Sequence, residues 1–180
     1  SSSGAAARLD TSFGTDGIVY KQGTPSKQLS PARRVVSSSS GKLVVLGNDM
    51  SGLMVLGRFR SNGSLDRSFG SEGLAYVVDF KRKNPIGEGR DLLSLRTGEI
   101  LTTGSLGFPF RREWDRHRCG FVAKQNYDGS LDHDFADDGR QPICLKKRNR
   151  SAGLRAFAMS MNKRGDLALA GGAWHRIAAG

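Results

Sequence analysis

Residues 108–118 read Phe-Pro-Phe-Arg-Arg-Glu-Trp-Asp-Arg-His-Arg, with two phenylalanines, one tryptophan, four arginines and one histidine. A guanidinium grips carboxylate, sulfate or phosphate through parallel N–H donors, and an indole stacks on a sugar or a base. Arginine and tryptophan are also the side chains that most often dominate binding energy at an interface. Arg111, Arg112, Trp114, Arg116 and Arg118 are therefore the candidate binding residues. The competing expectation is a loop folded over a sheet edge with Phe108 and Phe110 buried. Trp174-His175-Arg176 is a smaller version of the same composition.

Other reactive residues form no constellation. His117, His133 and His175 are far apart, and no Gly-x-Ser-x-Gly elbow accompanies them. Asp134, Asp137 and Asp138 would suit calcium, but the ligand spacing ending in a bidentate glutamate is missing. Asp16 and Glu72 read as single acids beside turn glycines, and Gly87-Glu88-Gly89-Arg90 as a turn entering a strand. Two cysteines, Cys119 and Cys144, cannot make a four-ligand zinc site. A disulfide between them and a pair of buried thiols both remain open, with thiols the simpler expectation. The reading is of a protein that is not an enzyme, with no catalytic residue, no metal and no cofactor; a fragment of a propeller enzyme is the less favoured alternative.

The elements that would carry the loop come from two recurring phrases. Leu9-Asp10-Thr11-Ser12-Phe13-Gly14 through Gly17 returns as Leu65-Asp66-Arg67-Ser68-Phe69-Gly70 through Gly73, and again as Leu131-Asp132-His133-Asp134-Phe135-Ala136 through Gly139. The spacings are 56 and 66 residues. Turns at Asn62-Gly63-Ser64 and Asp128-Gly129-Ser130 precede the last two copies. A second phrase, Gly41-Lys42-Leu43-Val44-Val45-Leu46-Gly47, recurs as Gly98-Glu99-Ile100-Leu101-Thr102-Thr103-Gly104 and Gly165-Asp166-Leu167-Ala168-Leu169-Ala170-Gly171, in step with the first. Such self-similarity signals tandem units. The first phrase reads as a structural corner: Leu65 and Phe69 anchor it, and Asp66 caps backbone amides.

Within a unit, apolar runs of four to eight residues end at Gly, Asn, Asp or Ser, which is strand chemistry. Apolar spacing at i, i+3, i+4 and i+7 is not sustained, so no substantial helix is expected. Four short antiparallel strands per unit describe a propeller blade. Gly47, Gly104 and Gly171 suit either a crowded inner position or a bulge.

These residues resemble the delta-60 repeat family of bacterial propeller-like repeats. The likeness rests on Gly41 to Gly47, Gly57-Arg58-Phe59 and the turn from Asn62 to Gly73. It departs at Ala123-Lys124-Gln125 and Phe135-Ala136, and the third unit loses the pattern after Gly172. The resemblance implies a β-propeller fold and an exported protein, secreted or at the bacterial cell surface, with the periplasm an alternative. It supplies no activity and no catalytic residues.

The expected fold is all-β: a propeller-like array of four-stranded antiparallel blades, two full and one split or incomplete. Residues 1–8 form a flexible lead-in, and 9–32 the last strand of a split blade (Ile18 to Lys21) plus a linker. Residues 33–80 form the first blade, 89–145 the second with its long loop 107–119, and 153–180 a partial third. Ring closure would call on the rest of a longer chain or on other copies.

Composition bounds the rest. The 180 residues include 24 glycines and 5 prolines with no three-residue period, which excludes collagen. The longest fully apolar runs are about five residues, where a membrane helix needs about 20. Lys and Arg total 28 against 17 acids, a net charge of +11, which would attract nucleic acid or acidic glycans. The expected partner is a protein or glycan met by blade-edge loops, with a polyanion as the alternative.

Overall fold

The glycine-bounded apolar runs fold as extended chain. The computed structural model describes residues 8–19, 31–49, 52–77, 86–107, 119–136, 138–144 and 152–175. Among them there are ten strands and no helix. They are β1 (Ala32–Ser37), β2 (Leu43–Asn48), β3 (Met54–Phe59), β4 (Leu74–Tyr76), β5 (Ile86–Ser94), β6 (Ile100–Gly107), β7 (Cys119–Gln125), β8 (Arg140–Ile143), β9 (Ala152–Met161) and β10 (Leu167–His175). Every pairing joins consecutive strands, all antiparallel, in sheets ordered β1-β2-β3-β4, β5-β6-β7-β8 and β9-β10.

Two boundaries differ from the sequence expectation. Gly87 to Arg90 lies inside β5 and is not a turn, and β10 continues through Gly172 to His175. Among the described residues Ile18 pairs with Thr15 alone, and Tyr20 and Lys21 lie outside them.

Alternation along each strand sends apolar residues to both faces of the middle sheet. One face gives Leu92, Ile100, Phe121 and Ala123, which join Val44, Leu46, Met54, Leu56, Phe69, Ala75 and Val77 in the main core. The opposite face gives Leu101 and Val122, packed on Met159 of β9, with Leu93, Leu95, Phe135 and Ile143 around them. Each large apolar side chain buried this way contributes roughly 1.5–3 kcal/mol.

The first strands also lie beside one another, β1 against β5 and β5 against β9. All three carry an irregularity at the same place. Arg33, Arg90 and Phe157 are each an extra residue where the register shifts, opposite Gly47, Gly104 and Gly171. An inserted residue bends the bulged strand and brings backbones close. At Gly104 the approach leaves no room for a side chain: a Cβ would sit 2.0 Å from the Glu88 carbonyl oxygen. Its partner Gly89 is constrained more softly, since a Cβ there would meet the Leu46 side chain of the first sheet at 2.7 Å.

Just past that bulge, buried Asp91 touches all three sheets. Its Oδ1 takes Arg34 Nε of β1 at 2.8 Å and the Leu92 amide at 2.9 Å. Its Oδ2 accepts the Met159 amide of β9 at 2.8 Å.

The cysteines are bonded, which corrects the expectation of thiols. Cys119 opens β7 and Cys144 follows β8, with their Cα atoms 4.6 Å apart. Adjacent antiparallel strands bring the two side chains within bonding reach although 25 residues separate them.

Candidate functional site

The recurring corner is built from short-range hydrogen bonds. In the second copy, Asp66 Oδ1 accepts the Ser68 amide at 3.3 Å and its hydroxyl at 2.8 Å. Asp10 does the same for Ser12, and Asp132 accepts the Asp134 amide at 3.1 Å. Phe69 is fully buried and Leu65 half-buried; Leu131 and Phe135 are half-buried. The corner closes in a two-residue turn. Ser71 and Leu74 exchange backbone hydrogen bonds around Glu72 and Gly73, whose φ values are 55° and 97°. Asp16 and Asp138 adopt the same left-handed backbone before Gly17 and Gly139. These acids are therefore turn-forming residues, where the sequence marked Asp16 and Glu72 as single acids beside turn glycines and Asp138 as one of three clustered acids. Gly70 is also left-handed (φ 54°), and Ala136 holds that place in the third copy with φ 52°.

Each corner then docks on the turn that precedes the next one. The Gly14 amide donates to the Asn62 carbonyl at 3.1 Å, and the Gly70 amide to the Asp128 carbonyl at 2.6 Å. At the second joint Arg58 is the hub. Its Nε meets Asp66 Oδ2 at 2.7 Å, its second guanidinium nitrogen meets the Ser68 hydroxyl at 3.2 Å, and its first donates to the Tyr127 carbonyl across the joint. The guanidinium carbon lies 4.6 Å from both the Phe69 and Tyr127 ring centroids, so the cation is sandwiched. Lys42 adds a second cation 2.8 Å from Asp66 Oδ2.

Burial alone would raise the Asp66 pKa. Hydrogen bonds from Lys42, Ser68 and Arg58 outweigh it and hold the carboxyl well below the usual carboxylate range. The third corner carries a different set of charges. Lys124 stands where Arg58 does and binds Asp132 at 2.8 Å and Glu99 at 3.2 Å. The hydrogen bond to Asp132 raises the Lys124 pKa against the opposing effect of burial. Glu99 occupies the place of Lys42, so an anion held by Arg58 and Lys42, with Arg60 at 4.0 Å, gives way to a cation held by two anions.

A cleft of about 340 Å³ lies at the first joint, lined by Val19, Phe59, Gly63, Ser64, Leu65, Arg67 and Glu72. It offers a cation, a carboxylate and a hydroxyl over an apolar floor. In the third corner the places of Arg67 and Glu72 are taken by His133 and Asp138, which bond each other at 2.5 Å.

The candidate binding residues Arg111, Arg112, Trp114, Arg116 and Arg118 lie outside the described residues, as do Phe108, Phe110 and Asp137. The described chain on either side of residues 108–118 ends at Gly107 of β6 and resumes at disulfide-bonded Cys119 of β7. The corner residues Leu65, Asp66, Phe69, Gly70 and Gly73 do come together, as do Leu131, Asp132, Phe135 and Gly139. Sequence reasoning missed Arg58, Lys42, Lys124, Glu99 and Tyr127. The signal that could have found them was the placement of charged residues at matching points of the phrases. Among the described residues no group of three or more His, Cys, Asp and Glu could hold a metal ion, and no helix is long and apolar enough to cross a membrane. No family model matches the chain, and no curated protein matches it.

Proposed function

We propose that this chain is a non-enzymatic scaffold of propeller-like blades, akin to delta-60 repeats, that binds a protein or glycan through loops at the blade edges. One observation carries the reading: the joint between corner and turn occurs twice with the same hydrogen bond, Gly14 to Asn62 and Gly70 to Asp128. A joint needed between every pair of units recurs, whereas a catalytic centre is needed once. The first acid of each phrase, Asp10, Asp66 and Asp132, is engaged in bonds that shape its own corner. Stacked first strands with a matching bulge support sheets that radiate from a shared inner edge, as blades do. The disulfide supports an oxidising compartment, and hence export.

The ligand-facing element is the loop 107–119. Changing Arg111, Arg112, Trp114 and Arg116 together to alanine should abolish binding in a glycan-array and cell-surface binding assay while leaving the circular dichroism spectrum unchanged. Full retention of binding would remove the loop from the proposal. The charge of +11 favours a second reading, a polyanion-binding module. It predicts heparin retention that falls steeply with salt, and no retention at low salt would end it.

A further inference from the structure

The geometry points to the cleft at the first joint as a binding site for a small zwitterion, a free α-amino acid with an apolar side chain. The joints recur, but this cleft is built largely from the places where the two copies differ. Gly63, Ser64 and Leu65 return at the second joint as Gly129, Ser130 and Leu131. Val19, Phe59, Arg67 and Glu72 instead become Ala75, Gln125, His133 and Asp138. The constant places serve the joint that every pair of units needs. The changed places shape a space that only the first joint has use for.

The floor of the cleft is apolar. Phe59 is 7% exposed, and Val19 and Leu65 are half-buried beside it. Gly63 keeps the Val19 wall close: its φ is 79°, and a Cβ there would lie 2.6 Å from Val19 Cγ2. The volume of about 340 Å³ stands at the small end of ligand sites, which run from roughly 300 to 1,000 Å³. It suits one amino acid and is too small for a folded partner.

The polar groups around that floor define the ligand further. At the second joint His133 and Asp138 bond each other at 2.5 Å, so each is committed to the other. Among the described residues Arg67 makes no hydrogen bond or ion pair, so its donors are available to a carboxylate, which a guanidinium meets through two parallel N–H bonds. Ser64 has the opposite polarity. Its hydroxyl donates to Asn62 Oδ1 at 2.7 Å, so towards a ligand its oxygen can only accept. Glu72 adds a carboxylate, also an acceptor. One donor group and two acceptors over an apolar floor match a carboxylate, an ammonium and a hydrocarbon side chain on one small molecule. A plain carboxylic acid would leave the acceptors unmatched, and a plain amine would leave Arg67 so. The site is separate from the loop 107–119 and from the ligand proposed above.

The test uses the full 180-residue chain, ¹⁵N-labelled, with L-leucine as the probe and amide chemical shifts as the readout. L-leucine should shift the amides of Ser64, Leu65 and Arg67 saturably and leave those of Ser130 and Leu131 in place. Free glycine has no side chain to cover the floor and should bind about tenfold more weakly or worse. Leucinamide lacks the carboxylate and 4-methylpentanoate lacks the ammonium, and each should lose about fivefold or more. Arg67→Gln should bind L-leucine and leucinamide equally, a loss of discrimination that a merely structural arginine would not produce. Arg67→His combined with Glu72→Asp copies the pair that the third corner already carries. That double variant should lose the shifts while keeping the urea midpoint. No saturable shift, equal binding of free glycine, an equal response at Ser130, or full binding by the double variant would each overturn the assignment. None of these readouts involves glycan, heparin or the loop 107–119, so failure here is separable from failure of the proposed function.

Discussion

Asp91 on β5 accepts the backbone amide of Met159 on β9 at 2.8 Å, so a side chain of the middle sheet takes the place of a backbone acceptor for the sheet beside it. The same carboxylate holds Arg34 of β1. Asp91→Ala would leave the Met159 amide without its acceptor, and an unmet buried donor costs about 1–3 kcal/mol. Urea unfolding should show a loss in that range, with exchange of the Met159 amide accelerated more than that of amides in β2 or β3. A uniform acceleration across the chain would mean that Asp91 is not a local tie.

The Arg58–Asp66 pair is buried on both sides, at 2% exposure each. Removing one member of such a pair costs about 3–5 kcal/mol where it strands a charge. Asp66 would keep Lys42 at 2.8 Å, so Arg58→Ala should lose about 3 kcal/mol or less in denaturant titrations, still far more than Arg164→Ala at an exposed pair.

Acid should act through the same pair. The Asp66 pKa is lowered on folding, so the unfolded chain takes up a proton at higher pH than the native one does. The contribution of Asp66 is therefore complete above the unfolded value of about 3.9 and fades as pH falls toward the native value. Thermal unfolding followed from pH 5 to pH 2 should show a falling midpoint, and Asp66→Asn should flatten that fall. An equal slope in both proteins would count against the assignment.

Ala136 occupies a left-handed position that Gly14 and Gly70 fill in the other corners. That backbone costs a residue with a Cβ about 1–2 kcal/mol. Ala136→Gly should stabilise the chain by about 1 kcal/mol, a rise in melting temperature measurable by calorimetry. Gly70→Ala should do the reverse and more, because its Cβ would lie 2.1 Å from the Leu74 carbonyl oxygen.

The strands were legible because glycine and Asx turns bound short apolar runs, and the corners because their letters recur. The joints were not. Arg58 and Tyr127 are 69 residues apart, and neither residue type signals the other. Gly87 to Arg90 looked like a turn because Gly-x-Gly usually is one. In fact Gly89 keeps a strand open to Leu46 across the sheet interface. The cysteine pair was ambiguous because its bonding depends on β7 and β8 being neighbours, which spacing alone does not reveal.

The extra residue in each first strand has a consequence for how the sequence can change. Arg33, Arg90 and Phe157 each reset the inward–outward phase partway along a strand, so the two halves follow opposite parity. Losing that extra residue is the one deletion each strand could take with every flanking residue still opposite its present partner and facing the same way. Losing any other single residue of these strands would instead swap the facing of every residue between the gap and the strand's end. A codon lost at the position of Arg90 would therefore leave Asp91 facing the same side, still opposite Thr103.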